Sequence, residues 1–410
     1  MPGERLYDLA LQFKNSKLWK QLSDTELFAL ELLNGETGYC CVMGELGEHI
    51  ALALYIGRDG LDSYRNMFEA QDAPTTMLEC ELMFSQDCVQ CSFENKDELS
   101  PQEIGEATKY AKARGINFRG RKAFPQFQRF RPAHYPWRLT DQEDEQLLFE
   151  ALSAALQVAE MLGKTNKHSL GFLDGPPYNR SIPFLKRSSG GYTLSKTDLP
   201  ARQEYVYPSP PVRDELLLAR LKNKKKTKKT WACEVVMLPS PMSEEEAGED
   251  GMVEAPESAP FFPFMLLIAD CMSETIISGE IVSDYDRDAE KLVTALAQAM
   301  SEHGVPSEIQ VRDKRTELLL GTFAKQSGLK LVRRSSLPLL DDIEEDMLAH
   351  FDVGMNETED DIEQMFEVLM QMDDQEFRSM PPELRRQLLD LELQGALPEP
   401  VAARVRRIFG

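Results

Sequence analysis

Histidine is scarce in this chain. There are five in 410 residues (His49, His134, His168, His303 and His350), and none has a neighbour at metal-ligand or catalytic-triad spacing. A P-loop, a G-x-G-x-x-G turn, a G-x-S-x-G elbow and an H-E-x-x-H helix are all missing, so the nucleotide-binding and hydrolytic chemistries those motifs mark have no support. Long apolar runs are missing too. Crossing a bilayer takes about 18 apolar residues, and "FFPFMLLIAD" is far shorter, so no membrane partner is expected. The stretch "MPGERLYDLALQF" mixes both signs of charge within one turn and has no signal-peptide apolar region, which leads to the expectation of a cytoplasmic protein. The seven cysteines, Cys40, Cys41, Cys80, Cys88, Cys91, Cys233 and Cys271, are odd in number and lie mostly in strand-like apolar runs. That pattern fits reduced core thiols. The single C-x-x-C, "DCVQC", has no second pair with which to hold zinc.

What is present is ordinary for a soluble globular chain: 42% hydrophobic and 28% charged residues, in a length sufficient for two or three domains. The formal charge is −23, but it is concentrated. Residues 341–377 hold 15 acids and no Lys or Arg, and residues 243–257 hold 7 acids and no base. Without those 15 and 7 charges the remainder carries −1, so global charge argues only weakly against a nucleic-acid partner. The acidic, apolar-poor stretch 242–260 is predicted to be a disordered loop.

Periodicity divides the chain. A helical stripe at Leu6, Leu9, Ala10 and Phe13 precedes strands joined by an Asn34-Gly35 hairpin. "LDSYRNMFEA" reads as a helix, and "TMLECELMFSQDCVQCSFEN" as two further strands. Helices follow near 100–113 and over 140–162, the latter opened by a Thr140/Glu143 capping box. Residues 1–165 are thus expected to form an α+β domain of antiparallel character. Residues 166–230, rich in Pro, Gly and Ser, read as one hairpin across Ser189-Gly190-Gly191 and an extended linker. Over 231–345 the order is β, β, β, α, β, α, β, an α/β domain with a mixed sheet. Residues 346–410 carry short apolar stripes (Ile362, Phe366, Leu369 and Met370; Leu384, Leu388 and Leu391; Val401, Val405 and Ile408), a small acidic α-helical tail.

The order and residues of 231–345 resemble the integrase core of retroviral and transposon DDE enzymes, an RNase H-like fold. "WACE" stands where that family has W-x-x-D, with Glu234 at the acid position. "IADCMSETIISGEIV" is similar to its strand pair, and "HGVPSEIQVRDKRTELL" to its G-x-P-x-x-I-x-S-D-N-G-x-E-F segment, with Asp313 on the second acid. The resemblance implies carboxylates that hold two Mg²⁺ or Mn²⁺ ions: Glu234, Asp313, and Glu344 or Glu345 as third. The chain departs from the pattern at Glu234, at Lys314-Arg315 in place of Asn-Gly, and in "RRSSLPLLDDIEEDML" before the third acid. These departures imply an inactive domain. The whole chain also resembles a bacterial two-part family with no assigned activity, on "ETGYCCVMGELGE" and "FRGRKAFPQFQRFRPAHYPW".

That last segment interleaves Arg119, Arg121, Arg129 and Arg131 with Phe124, Phe127, His134 and Trp137. Rings and arginines in alternation can hold single-stranded nucleic acid, although period-two alternation equally describes a strand with its rings inward. The six lysines of "KNKKKTKK", 222–229, read as a solvated linker. The expected function is a non-enzymatic binding or adaptor protein, needing no cofactor, with a protein partner that the residues do not specify. One alternative is a divalent-metal nuclease or phosphoryl transferase using Glu234, Asp313 and Glu344 or Glu345. The other is a single-stranded nucleic-acid binder.

Overall fold

The computed structural model describes residues 3–242 (apart from 46, 48, 72, 74, 174, 176, 177 and 190), 259–350, Glu392 and 399–409. Residues 349–410 form a unit separate from residues 1–348.

The first half is built on one eight-stranded mixed sheet. Its strands are β1 (Phe28–Glu31), β2 (Thr37–Met43), β3 (Ala51–Ile56), β4 (Cys88–Glu94), β5 (Phe124–Phe130), β6 (Trp137–Arg138), β7 (Ser181–Ser188) and β8 (Gly191–Asp198), in spatial order β6-β5-β4-β3-β2-β1-β7-β8. Successive residues face opposite sides. Phe28 and Leu30 therefore pack against α1 (Glu4–Ser16) and α5 (Gln142–Leu162), through Phe13, Leu148 and Leu152. Leu27 and Ala29 pack on the other face against Leu61 and Tyr64 of α2 (Gly57–Ala70). Helix α4 (Pro101–Arg114) starts in a Ser100/Glu103 capping box.

Several expectations change here. β7 and β8 pair antiparallel, as the expected hairpin requires, but β7 also pairs parallel with β1 (Ala29↔Phe184), so the pair extends this sheet rather than standing in a linker. Of the two strands expected over 76–95, only β4 forms. Thr76–Met83 is a helix, α3, capped by Thr75, whose Oγ1 accepts from the Leu78 amide at 3.3 Å. Its buried residues Met77 and Cys80 lie three apart, a helical spacing that apolar content alone disguised as a strand. The cap of α5 is Asp141, one residue after the expected Thr140. Residues 215–223, expected as linker, are helix α7 (Glu215–Asn223), which follows the short α6 (Lys167–Leu170) and buries Leu218 and Leu221.

The second half carries a five-stranded mixed sheet in the order β11-β10-β9-β12-β13. Its elements are β9 (Thr230–Met237), β10 (Phe264–Asp270), β11 (Thr275–Val282), α8 (Tyr285–His303), β12 (Glu308–Val311), α9 (Lys314–Ser327), β13 (Leu331–Arg333) and α10 (Pro338–His350). β12 pairs parallel with both β9 and β13, as crossover helices require. β10 is antiparallel to β9 and β11 antiparallel to β10, so β11 runs parallel to β9. Trp231, Cys233, Val235, Ile309 and Val311 meet Leu292, Leu296, Leu319 and Phe323 of α8 and α9 on one face.

Of the acidic loop expected at 242–260, residues 243–258 lie outside the described residues. Its ends are held: the Met242 amide donates to Phe261 O at 2.7 Å, and the Tyr135 amide to Pro260 O at 2.8 Å. In the C-terminal unit, α11 (Glu399–Phe409) buries Val401 and Val405, and the stripes at 362–370 and 384–391 lie outside the described residues.

The two sheets are fastened through α3. Arg315, the second residue of α9, forks onto Glu81 of α3, with Nη2 to Oε2 at 3.0 Å, and also donates to the Val235 carbonyl. Its guanidinium lies 5.6 Å from the Phe264 ring and 5.7 Å from that of Tyr285. Removing one partner of such a pair strands the other in a poorly hydrated place. Arg315→Ala is expected to lower stability by roughly 3 kcal/mol, and Arg315→Lys to recover less than half, because an ammonium cannot fork. Chemical denaturation of both variants reads this; full recovery by lysine would show that the forked geometry is irrelevant.

Candidate functional site

The acid positions singled out by sequence converge on an arginine. Parallel pairing sets Gln310 against Ala232. Two residues further on, Arg312 stands beside Glu234 on the sheet face opposite the α8/α9 core. The Arg312 guanidinium donates from Nε to Glu234 Oε1 at 3.0 Å and from Nη2 to Oε2 at 2.6 Å. Nη2 also reaches Glu344 Oε1 at 2.8 Å, and Nη1 reaches Asp341. Helix α10 supplies both of these carboxylates, three residues apart and so on one helical face. Glu344 is 3% exposed and Glu234 8%.

The electrostatics follow from this crowding. Burial raises the carboxyl of Glu344, the negative charge of Glu234 raises it further, and Arg312 offsets part of this, leaving it at about 7. Burial likewise raises Glu234, against the pull of Arg312. Three carboxylates raise Arg312 above its ordinary range despite desolvation, so it is a permanent cation.

The other expected ligands stand apart. Asp313 caps α9: its Oδ1 accepts from the Thr316 amide at 2.8 Å, and its Oδ2 from Thr316 Oγ1 at 2.7 Å. Alternation explains why, since residue 313 falls on the opposite side of the strand line from Arg312 and Glu234. Glu345 is exposed at the rim. Both oxygens of Glu234 and one of Glu344 are taken by a guanidinium, and no group of three His, Cys, Asp or Glu among the described residues is placed to hold a metal ion. The arrangement does not fit the two-cation centre that the integrase-core resemblance implies. Sequence reasoning missed Arg312 and Asp341. The signal for Arg312 was its parity with Gln310; for Asp341, its spacing from Glu344.

The basic-aromatic segment is distributed differently. In β5 the residues Pro125, Phe127 and Arg129 are buried in alternation with half-buried Phe124, Gln126, Gln128 and Phe130. Phe127 packs edge-on to Tyr7 at 5.0 Å, and Trp137 is buried with the Arg131 guanidinium 5.6 Å from its ring. Arg129 is buried and reaches Asp87 at 2.6 Å and the Cys88 carbonyl at 2.9 Å. His134 Nδ1 lies 2.8 Å from Pro132 O, while Arg119 and Arg121 are exposed in the loop before β5. The structure does not gather these side chains into one face.

The lysine run is partly structural. Lys224 Nζ donates to Ser301 O in the last turn of α8 and Lys226 Nζ to Gly328 O just past α9, both at 2.6 Å, while Lys229 pairs with Asp270 at 2.7 Å. Cys88 and Cys91, three apart on a strand, face opposite sides of the first sheet and cannot share a ligand.

A family model described as a domain of unknown function (DUF7309) matches residues 4–175, and a second (DUF6930) matches residues 217–348. The chain is thus a two-domain protein, each part similar to a family without an assigned activity. No curated protein matches its sequence. Among the described residues no helix is long and apolar enough to cross a membrane.

Glu344 supplies a pH signature. Its native carboxyl titrates at about 7 against an ordinary 4.5, so between those values the native state holds a proton that the unfolded chain has released. Its contribution is fully present below the lower value and is lost as pH rises through the higher one. Glu344→Gln is expected to flatten the fall in stability with rising pH and to leave the protein roughly 1–3 kcal/mol more stable than wild type near pH 8. Denaturant titrations on both sides of neutrality check this; an unchanged slope would mean that Glu344 does not titrate there. Asp313→Ala is expected to cost about 1 kcal/mol and Asp313→Asn only a few tenths, as for other helix caps.

Proposed function

We propose that this is a non-enzymatic binding or adaptor protein whose second half is an RNase H-like domain with its acid positions converted to structural use. The observation that carries the reading is the Arg312 guanidinium, which sits among Glu234, Asp341 and Glu344 where catalysis would need cations and water. A guanidinium is a fixed charge with filled hydrogen-bonding directions; it can neither lower the pKa of a bound water nor bridge phosphoryl oxygens as a metal does.

The fold half of the proposal draws on topology. The order β11-β10-β9-β12-β13, with β9 and β12 side by side and α8 and α9 as crossovers, supports an RNase H-like sheet. The binding half draws on how the other chemistry-bearing residues are used. Phe127 and Trp137 bury the rings that a single strand would stack on.

The test is cleavage. The full chain, incubated with supercoiled DNA and with single-stranded RNA in millimolar Mg²⁺ or Mn²⁺, is expected to leave both intact, and Arg312→Ala is expected not to confer activity. Metal-dependent nicking that disappears in Glu234→Gln and Glu344→Gln, with the fold retained, would replace this reading by a metal-dependent nuclease.

A further inference from the structure

The second sheet ends in an open position. Among the described residues β13 has a neighbour on one side only, β12. The Ile309 amide donates to Lys330 O at 2.9 Å and the Arg334 amide to Val311 O at 2.8 Å. Backbone groups of alternate strand residues turn to opposite sides, so Leu331 and Arg333 turn their amides and carbonyls away from β12, toward the open side. Between that edge and helix α9 runs a groove of about 660 Å³, lined by Leu318, Gly321, Ala324 and Lys325 of α9 and by Leu331 and Arg333 of β13. It is the space that the side chains of one more strand would fill.

Two further observations say what fits there. The first is Gly321. It stands midway along α9 in ordinary helical backbone, where glycine costs helix stability relative to alanine. The fold gives no reason for it: a Cβ at this position would have only Ser209 Oγ within 4 Å, at 3.8 Å. What glycine leaves open is the floor of the groove, where a second backbone can come close. The second observation is charge. Lys314, Lys325 and Arg333 line the groove together with one acid, Glu317. Lys226 donates to Gly328 O at one end of it, while Lys330 and Arg334 flank β13 and share Glu308. These six cations meet three acids, Glu204, Glu308 and Glu317. The Lys314–Glu204 pair is exposed on both sides, and such pairs are weak enough to exchange partners. The surplus of positive charge selects an acidic ligand.

We propose that this groove receives an acidic, extended segment of a protein partner, which adds to β13 as a further strand of the sheet. Its backbone pairs with Leu331 and Arg333, its small apolar side chains lie on Gly321 and Ala324, and its carboxylates meet Lys314, Lys325 and Arg333. The proposal rests on the binding-protein reading and gives that partner a chemistry. A nucleic acid fits worse: it has no peptide backbone to pair with a strand edge, and the groove lining carries no aromatic ring on which bases would stack.

The experiment uses the full chain and the peptide fluorescein-Gly-Glu-Val-Asp-Val-Glu-Val-Asp-amide, followed by anisotropy beside the same peptide with lysine at every acid. The acidic peptide is expected to bind about 10-fold or more tightly than the lysine peptide. Two further acidic peptides are N-methylated, one at the valines and the other at the acids. One of these sets of amides faces β13, so at least one of the two is expected to bind about 10-fold more weakly than the parent. Gly321→Leu fills the groove and is expected to weaken binding about 10-fold, while its unfolding midpoint stays unchanged or rises because leucine is the better helix former. Lys325→Glu is expected to weaken binding several-fold, and Lys109→Glu, on α4 in the first half, to leave it unchanged. Equal binding of the acidic and lysine peptides, no binding of either, full binding of both N-methylated peptides, or insensitivity to Gly321→Leu overturns the site. Displacement of the acidic peptide by a thymidine oligonucleotide at constant ionic strength overturns it in favour of a nucleic acid. A monomer–dimer equilibrium in sedimentation that Gly321→Leu abolishes overturns it in favour of a second copy of the chain. Failure of the peptide test with nucleic acid left intact removes only the groove; cleavage of nucleic acid removes the non-catalytic reading.

Discussion

One guanidinium organises the second half of this protein. Arg312 follows β12, Glu234 lies on β9, and Asp341 and Glu344 lie on α10, so a single cation ties a helix to the end of two strands paired in parallel. Burying charges is costly unless each finds a partner. Here three carboxylates crowd one cation, and the imbalance appears as a carboxyl raised to about 7 on Glu344. The tie of α10 to the sheet runs through that packing.

Three residues along the chain, Arg315 does the complementary work. It points to the first half, forks onto Glu81 and lies against two aromatic rings. The two arginines flank the capped start of α9, which Asp313 fixes. The start of α9 is thus a joint between the two halves, with Arg315 as its fastening.

Much of this was legible. Helical stripes and apolar runs place β9 to β13 with α8 and α9 in order, most clearly where β9 and β10 are buried and the helices amphipathic, while α10 goes unread. The misreadings have local causes. Met77 and Cys80 sit in a run so apolar that helix and strand periods could not be told apart, and the Pro- and Ser-rich approach to α7 hid a nine-residue helix. At the site, Glu234 and Glu344 are legible as acids and Arg312 is not, because its partners lie 78 and 32 residues away in the chain.

The sequence by itself determined the local terms: which residues alternate, where the Ser100–Glu103 pair can start a helix, where Gly328 ends one, and that two acidic runs carry nearly all the net charge. These depend on neighbours a few positions apart, and a linear string records them. Only the tertiary structure decided which charges meet. Arg312 and Glu344 are 32 residues apart, Arg312 and Glu234 78, and Arg315 and Glu81 234. Whether a carboxylate becomes a metal ligand, a helix cap or half of an ion pair depends on the register that carries such distant residues into contact, and on the dehydration that follows. Neither is written at the residue itself.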